Sequence, residues 1–338
     1  MSTRLFFTLA SLLVVALSVG CMLVGAVDIA PREVVGALTG SGNDEVARTI
    51  VLESRLPAYI TAVMAGIALG VGGLLMQTVL ENPLAEPSVL GVSAGASLGA
   101  AIALLLPGVA IAGTLTAGGT WLTVVLALTG SLLVIALLAV CSTLLRSNVL
   151  VLIAGVMVSY IVGSGTSLLA FYATDYGVQS YVFWGMGDFG QLSSERTLWF
   201  AIAVALGLLP LPLLTKWLDA LLLGSDYASA LGLRVRRVRT YLLVICGYLT
   251  AIVTAACGPI AFIGLAAPHA ARFLLRRSHH ALLLPATALT GMVLTLLTSF
   301  IAHLPSTGST LPINAITPIM GVPVMMTLIL KHRSAAYQ

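Results

Sequence analysis

Residues Gly91-Val92-Ser93-Ala94-Gly95 match the G-x-S-x-G pattern that presents a nucleophilic serine in α/β-hydrolases. That chemistry needs a sharp strand-to-helix turn, a histidine base and an acid to orient it. Here the pentapeptide opens an apolar span with no such sheet around it, so a hydrolase is excluded. Cys21, Cys141, Cys246 and Cys257 lie in apolar segments without metal-ligand spacing, which makes them small core residues. No G-x-x-x-x-G-K-[ST] occurs, so ATP is not bound by that route. A secondary transporter normally carries an ionisable group near the membrane midplane for its coupling ion. No Asp, Glu, Lys or Arg lies well inside a predicted span; broken backbone at Gly258-Pro259 leaves sodium binding through carbonyls open.

The elements that carry these residues follow from composition. Hydrophobic residues fill 59% of the 338 positions and charged ones 8%, against about a quarter charged in a soluble domain. A water-soluble globule is excluded, because each charge at the bilayer centre costs roughly 2.5–3.5 kcal/mol. Charge-free stretches, with histidine neutral, run over 5–27, 56–80, 87–145, 147–174, 197–215, 240–271 and 278–330. A crossing takes about 20 apolar residues, so 87–145 and 278–330 hold two spans each. Their turns are marked by Pro107-Gly108 to Gly118-Gly119 and by Pro305 to Pro312. Gly258-Pro259 divides 240–271 into two crossings, one of them short. The spacing predicts an all-α polytopic membrane protein of about ten transmembrane helices, in one membrane domain over 1–338.

Charge asymmetry sets the expected orientation. Loops on the side of the termini carry 12 of the 16 Lys and Arg residues, and the other side carries only Arg32, Arg48, Arg55 and Arg196. By the positive-inside rule both termini are cytoplasmic. The net charge of +4 then needs no nucleic-acid partner. Arg4 and the apolar run to Gly20-Cys21 form a first transmembrane helix; Ser18 stands where a lipoprotein signal places leucine.

Small residues recur four apart in Gly91, Gly95 and Gly99, and again in Gly155, Ser159, Gly163 and Ser167. Such rows let helix backbones approach closely. The second row also suits a pathway wall, with Ser159, Gly163 and Ser167 as lining. The cytoplasmic loop of about 216–239 contains helix formers interrupted by Gly224 and Gly232, which predicts two short helices at the membrane face over 218–233. Asp226-Tyr227-Ala228 followed by Gly232 echoes the E-A-A-x-x-x-G pattern of importer loops that dock on ATPases. An interfacial helix without a partner is the other reading.

Longer motifs carry a family resemblance. Arg55-Leu56-Pro57 with Gly66 and Gly70, then Glu81-Asn82-Pro83-Leu84-Ala85-Glu86-Pro87 and Leu90 to Ala96, resembles the permease family of iron-siderophore, haem and vitamin B12 ABC importers, the type II importers. Gly258 to His269 is similar to that family's glycine-rich turn into a short helix, and Leu311-Pro312-Ile313 through Gly321-Val322-Pro323 to its last span. The resemblance runs from about residue 50 to the C-terminus. It implies a type II importer permease fold in the cytoplasmic (inner) membrane and import of a bulky metal chelate by alternating access. It implies two ABC ATPase subunits, a periplasmic or lipid-anchored substrate-binding protein, and a second permease subunit, identical or a close paralogue. No cofactor is expected on this chain, since ATP and Mg belong to the partner ATPases.

Carried over residue by residue, the resemblance places ATPase coupling at Leu221, Gly224, Asp226, Ala228, Gly232 and Arg234. It places a cytoplasmic gate at Ser147 and Asn148, which also fit a simple helix cap. Arg55 and His303 are implied in docking the binding protein, with an interfacial anchor as the alternative for Arg55. His269 follows a family Pro-His pair and is read as structural. Several positions depart from the family: Ala58 replaces a frequent second Arg, Ser299 and His303 stand at positions commonly Asp and Arg, and Thr310 at a common Glu. The usual charged docking is thereby weakened, with His303 left to supply a pH-dependent contact.

Overall fold

A long apolar sequence leaves helices as the means of satisfying backbone polar groups in lipid, and among the described residues of the computed structural model every regular element is helical. The described residues are 2–42, 44–106, 119–145, 148–304 and 310–335. The helices are α1 (Thr3–Leu23), α2 (Pro31–Thr39), α3 (Glu45–Val79), α4 (Val92–Leu105), α5 (Gly119–Leu144), α6 (Asn148–Tyr172) and α7 (Asp175–Gly185). They continue as α8 (Ser194–Leu208), α9 (Leu211–Leu222), α10 (Ser225–Ala230), α11 (Val235–Cys257), α12 (Ile263–Leu275), α13 (His280–Ala302) and α14 (Ile313–Ala335).

Six of these, α1, α3, α5, α6, α11 and α13, are long and apolar enough to cross a membrane, and α8 with α9 makes a bent seventh. Val92–Leu105, Ile263–Leu275 and Ile313–Pro323 are shorter apolar helices at the remaining expected positions. The 14 residues of α4 reach only about 21 Å at 1.5 Å each, short of the roughly 30 Å hydrocarbon layer. The turns at 107–118 and 305–309 lie outside the described residues.

Three local features differ from the sequence-based expectation. The span placed at 197–215 bends by 46° where Leu209-Pro210 separates α8 from α9. Pro210 and Pro212 restart a helix there, since first-turn N–H groups need no intrahelical partner. The first of the two short helices predicted at 218–233 is consequently the end of a 12-residue α9, whose Leu211, Leu214, Leu218 and Leu221 are buried along one face. Finally, α2 and α7 stand where only loops were expected. Their signals are local: Pro31 in the first turn and Gly40 at φ 73° for α2, and a Thr174 side chain accepting from Gly177 N for α7.

The chain forms two compact units. One comprises Met1–Val71, Asp188–Ile202 and Ala261–Gln338. Within it α13 packs against α1 and α12, and α14 against α12 and α13. A methyl built on Gly66 would lie 2.5 Å from the carbonyl oxygen of Gly291 and would clash with Thr295 Oγ1, so α3 and α13 touch backbone to backbone. The other unit comprises Gly72–Gly187 and Ala203–Ile260. Here α4 lies on α5 through the same device, a methyl on Gly95 meeting the Gly130 carbonyl at 2.5 Å. Ala96, Ala100, Ala127 and Ala255 form a buried cluster in it around Trp184.

Candidate functional site

The segment between α9 and α11 is shaped by its two glycines. Gly224 has φ 98° and ψ 155°, a region essentially reserved for glycine. It ends α9 and lets α10 start at an angle. Gly232 has φ 82° and closes α10 with two hydrogen bonds, Leu233 N to Ala228 O (3.1 Å) and Gly232 N to Ser229 O (2.9 Å). That pair is a Schellman motif, with glycine at its left-handed position. The spacing of Ala228 and Gly232 is therefore the geometry of a helix stop. Leu221 and Ala228 are buried, whereas Asp226 and Arg234 are exposed. Asp226 sits in the first turn of α10, where the helix dipole favours an acid. Open space surrounds both glycines.

A polar clamp fixes this segment to the neighbouring helix ends. Arg239, in the first turns of α11, donates from Nη2 to Glu81 Oε1 at 2.6 Å. The same nitrogen is 2.6 Å from Ser225 Oγ, and Ser225 in turn donates to Glu81 Oε1 at 2.6 Å. Glu81 lies two residues beyond α3 with φ 50°, a left-handed conformation that turns the chain back at that point. The three residues tie the start of α10 to the ends of α3 and α11. All three types were visible in the sequence, but they are separated by up to 158 positions, and no local pattern marks them as partners.

The second row of small residues divides. A methyl on Gly155 would meet the backbone of Leu90 at 2.9 Å, and one on Gly91 would lie 2.9 Å from Gly155 O and 3.0 Å from Ser159 Oγ. Gly155 and Ser159 thus pack α6 against the turn before α4. Gly163 has nothing within 4 Å, and it and Ser167 are exposed. Ser159 and Ser167 both donate to carbonyls four residues back, at 3.0 Å each. They carry no unsatisfied group toward the open face. Of the two gate residues, Ser147 lies outside the described residues, and Asn148 starts α6 with its side chain outside them.

Arg55 is turned inward. Val51–Arg55 forms a π turn within α3, with Leu56 N bonding back to Val51 O. The widened turn lies just before Pro57, which has no N–H to give its preceding turn. From here the guanidinium donates from Nη1 to Met22 O (2.6 Å) and Leu23 O (3.0 Å), and from Nη2 to Val27 O. Met22 and Leu23 are the last residues of α1, so a cation closes that helix at the negative end of its dipole. Arg55 is 7% exposed, and this is the geometry of the anchoring alternative. His303 is half-buried after α13 and donates from Nδ1 to Ser299 O at 2.7 Å, capping the helix end. Among the described residues no three His, Cys, Asp or Glu side chains come together in a metal-binding arrangement.

Known proteins fix the lineage. The model of the FecCD transport family matches residues 12–331, nearly the whole chain. The chain belongs to the FecCD transport family. Its relatives include an ABC transporter permease protein of Methanocaldococcus jannaschii, 31% identical over 324 residues and covering 93% of this chain and 90% of that protein. The vitamin B12 import system permease protein BtuC of Salmonella paratyphi A is 34% identical over 281 residues, 83% of each chain. Among solved structures, a metal-chelate type ABC transporter in an inward-facing conformation superposes with a TM-score of 0.83 at 26% identity, covering 97% of this chain and 99% of that one. This FecCD permease accordingly has the type II ABC importer permease fold and is a transport subunit of the metal-chelate and vitamin B12 importer family.

Proposed function

We propose that this FecCD permease moves a bulky metal chelate inward across the cytoplasmic (inner) membrane, driven by two ABC ATPase subunits that dock on α10 and its flanking glycines. An iron-siderophore is the preferred cargo, with haem and vitamin B12 as the alternatives. A second permease subunit completes the pathway, and a substrate-binding protein delivers the chelate from outside. Both termini face the cytoplasm. ATP and Mg act in the partner subunits, and this chain performs no covalent chemistry.

The observation that carries the reading is the clamp of Glu81, Ser225 and Arg239. A segment that transmits force must be held to the spans it moves, and here a six-residue helix is tied by its first residue to the ends of α3 and α11. Leu221 and Ala228 root it by burial, while Asp226 and the two glycines lie open for a partner. Two states of the pathway then follow from two positions of the docked ATPases. The exposed stretch at Gly163 and Ser167 supports a wall on which a large uncharged face passes without a fixed ionic partner.

The test is ATP hydrolysis by the permease co-purified with candidate ATPase subunits, wild type against Gly232→Arg. Stable association, with hydrolysis lost in a folded variant, is the expected result. Ion-gradient-driven uptake by the permease alone would overturn the reading. Uptake into proteoliposomes of a ferric siderophore, haem and cobalamin, each delivered by its own candidate binding protein, then separates the cargoes.

A further inference from the structure

A cavity of about 620 Å³ opens beside the first turn of α11, within the roughly 300–1,000 Å³ range of small-molecule sites. Its lining combines the apolar side chains of Leu80, Leu145, Val151 and Leu243 with Arg234, Arg236, Arg237 and Arg239. Among the described residues Glu81 forms its ion pair with Arg239. Arg234, Arg236 and Arg237 are exposed and form no ion pair among the described residues. The first turn of α11 contains no acid and no side-chain cap, and although the N–H groups of Val235 and Arg237 donate to Leu233 O and Arg234 O, the positive end of its dipole adds to the charge of the arginines. Positive charge is thus concentrated where a helix favours an anion, next to hydrocarbon.

We propose that this cavity binds an anionic phospholipid, its phosphate held by Arg234, Arg236 and Arg237 and its upper acyl chain lying on the apolar side chains. Guanidinium forks match phosphate oxygens bidentately, and the positive end of the α11 dipole favours the anion. An acidic protein segment would meet the charge but leave Leu80, Leu145, Val151 and Leu243 unmatched. Ser229 and Leu233, at the end of α10, line the same cavity, so the lipid braces the segment that the clamp holds from its other end. The inference rests on the proposed orientation only for its location in the cytoplasmic leaflet, where anionic lipid attracts basic segments.

The full-length permease, purified in detergent and stripped of lipid, is titrated with phosphatidylglycerol, with phosphatidylcholine of the same chains, and with inorganic phosphate. Native mass spectrometry counts retained lipid, and thermal unfolding follows stability. Phosphatidylglycerol is retained and raises the unfolding temperature. Arg236→Gln with Arg237→Gln weakens its binding roughly thirtyfold, about fivefold for each arginine, whereas Arg236→Lys with Arg237→Lys retains most of it. Both residues are exposed and unpaired, so a lipid-free melt confirms that the variants fold. Equal retention of phosphatidylcholine, a phosphatidylglycerol titration unchanged by the glutamine pair, or inorganic phosphate alone reproducing the shift would overturn the proposal. The same holds if the glutamine pair loses a co-purifying ATPase yet binds lipid as wild type, since the arginines then serve a protein. Lipid binding without any ATPase association would instead defeat the proposed function and leave this site standing.

Discussion

If α10 transmits movement through its clamp, removing either charged partner must lower transport per ATP hydrolysed more than hydrolysis itself. The Arg239–Glu81 contact is 2.6 Å long, with side-chain exposures of 17% and 41%. Fully exposed pairs contribute about 0–1 kcal/mol, and hydrogen bonds to charged groups about 1.5–3 kcal/mol. Glu81 is two-fifths exposed, and Arg239 Nε is buried without a hydrogen-bond partner, which places the coupling near the lower figures, about 1–1.5 kcal/mol. That is roughly a tenfold change in the population of attached α10. Glu81→Gln and Arg239→Gln, singly and together, are reconstituted with ATPase and binding protein, and chelate uptake and phosphate release are measured on one preparation. Each single variant is expected to lower uptake per ATP by up to about tenfold, and the double variant no further, because one interaction is removed once. Additive losses, or an unchanged ratio of uptake to hydrolysis, would refute the role of the clamp.

The glycines of the coupling segment should rank by their backbone. Gly224→Ala, forced into a region reserved for glycine, loses more ATPase association than Gly232→Ala, whose left-handed position costs about 1–2 kcal/mol; a pull-down titration reads the order. Arg55→Gln should destabilise the folded permease by about 2–3 kcal/mol through loss of charged hydrogen bonds to three carbonyls. Gly25→Ala, whose methyl would lie 2.9 Å from Arg55 Nε, should shift the thermal transition in the same direction but less. Along α6, Gly155→Ala should lower thermal stability because the methyl meets the Leu90 backbone, while Gly163→Ala, with nothing within 4 Å, should leave it unchanged.

Much of this fold was legible because lipid imposes a strong and simple constraint: charge-free runs of sufficient length must be helical. The runs at 5–27 and 147–174 correspond to α1 and α6, and Gly258-Pro259 does separate α11 from a short α12. Helix ends were harder where two signals compete. The stretch 209–215 is apolar enough to read as the end of the span at 197–215, yet Pro210 and Pro212 start a new helix there. The glycines of the coupling segment were legible because conformation marks them locally. The clamp was not, since Glu81 lies 144 positions from Ser225 and 158 from Arg239. Arg55 was legible as a residue of consequence but not in its contacts: a cation near an expected membrane boundary has two uses, and its bonds to the carbonyls of Met22, Leu23 and Val27 are not marked by any local pattern.

Polar groups inside the spans are accommodated by the helices that carry them. Thr250, Thr290 and Thr298 each donate to the carbonyl four residues back, at 2.9, 2.8 and 2.8 Å. All three are buried, so these hydroxyls are satisfied within their own helices and add no charge to the packed interior. The helix pairs α4–α5 and α3–α13 are meanwhile joined through glycines so close that a single methyl would clash with the opposing backbone. Such pairs shift as blocks rather than bend residue by residue, because packed backbones have few intermediate arrangements. Blocks of this kind respond to a force applied at a discrete point rather than by gradual deformation. Within the unit that contains α10, the clamp at Arg239 and the short helix it holds form one polar attachment at which such a force can act.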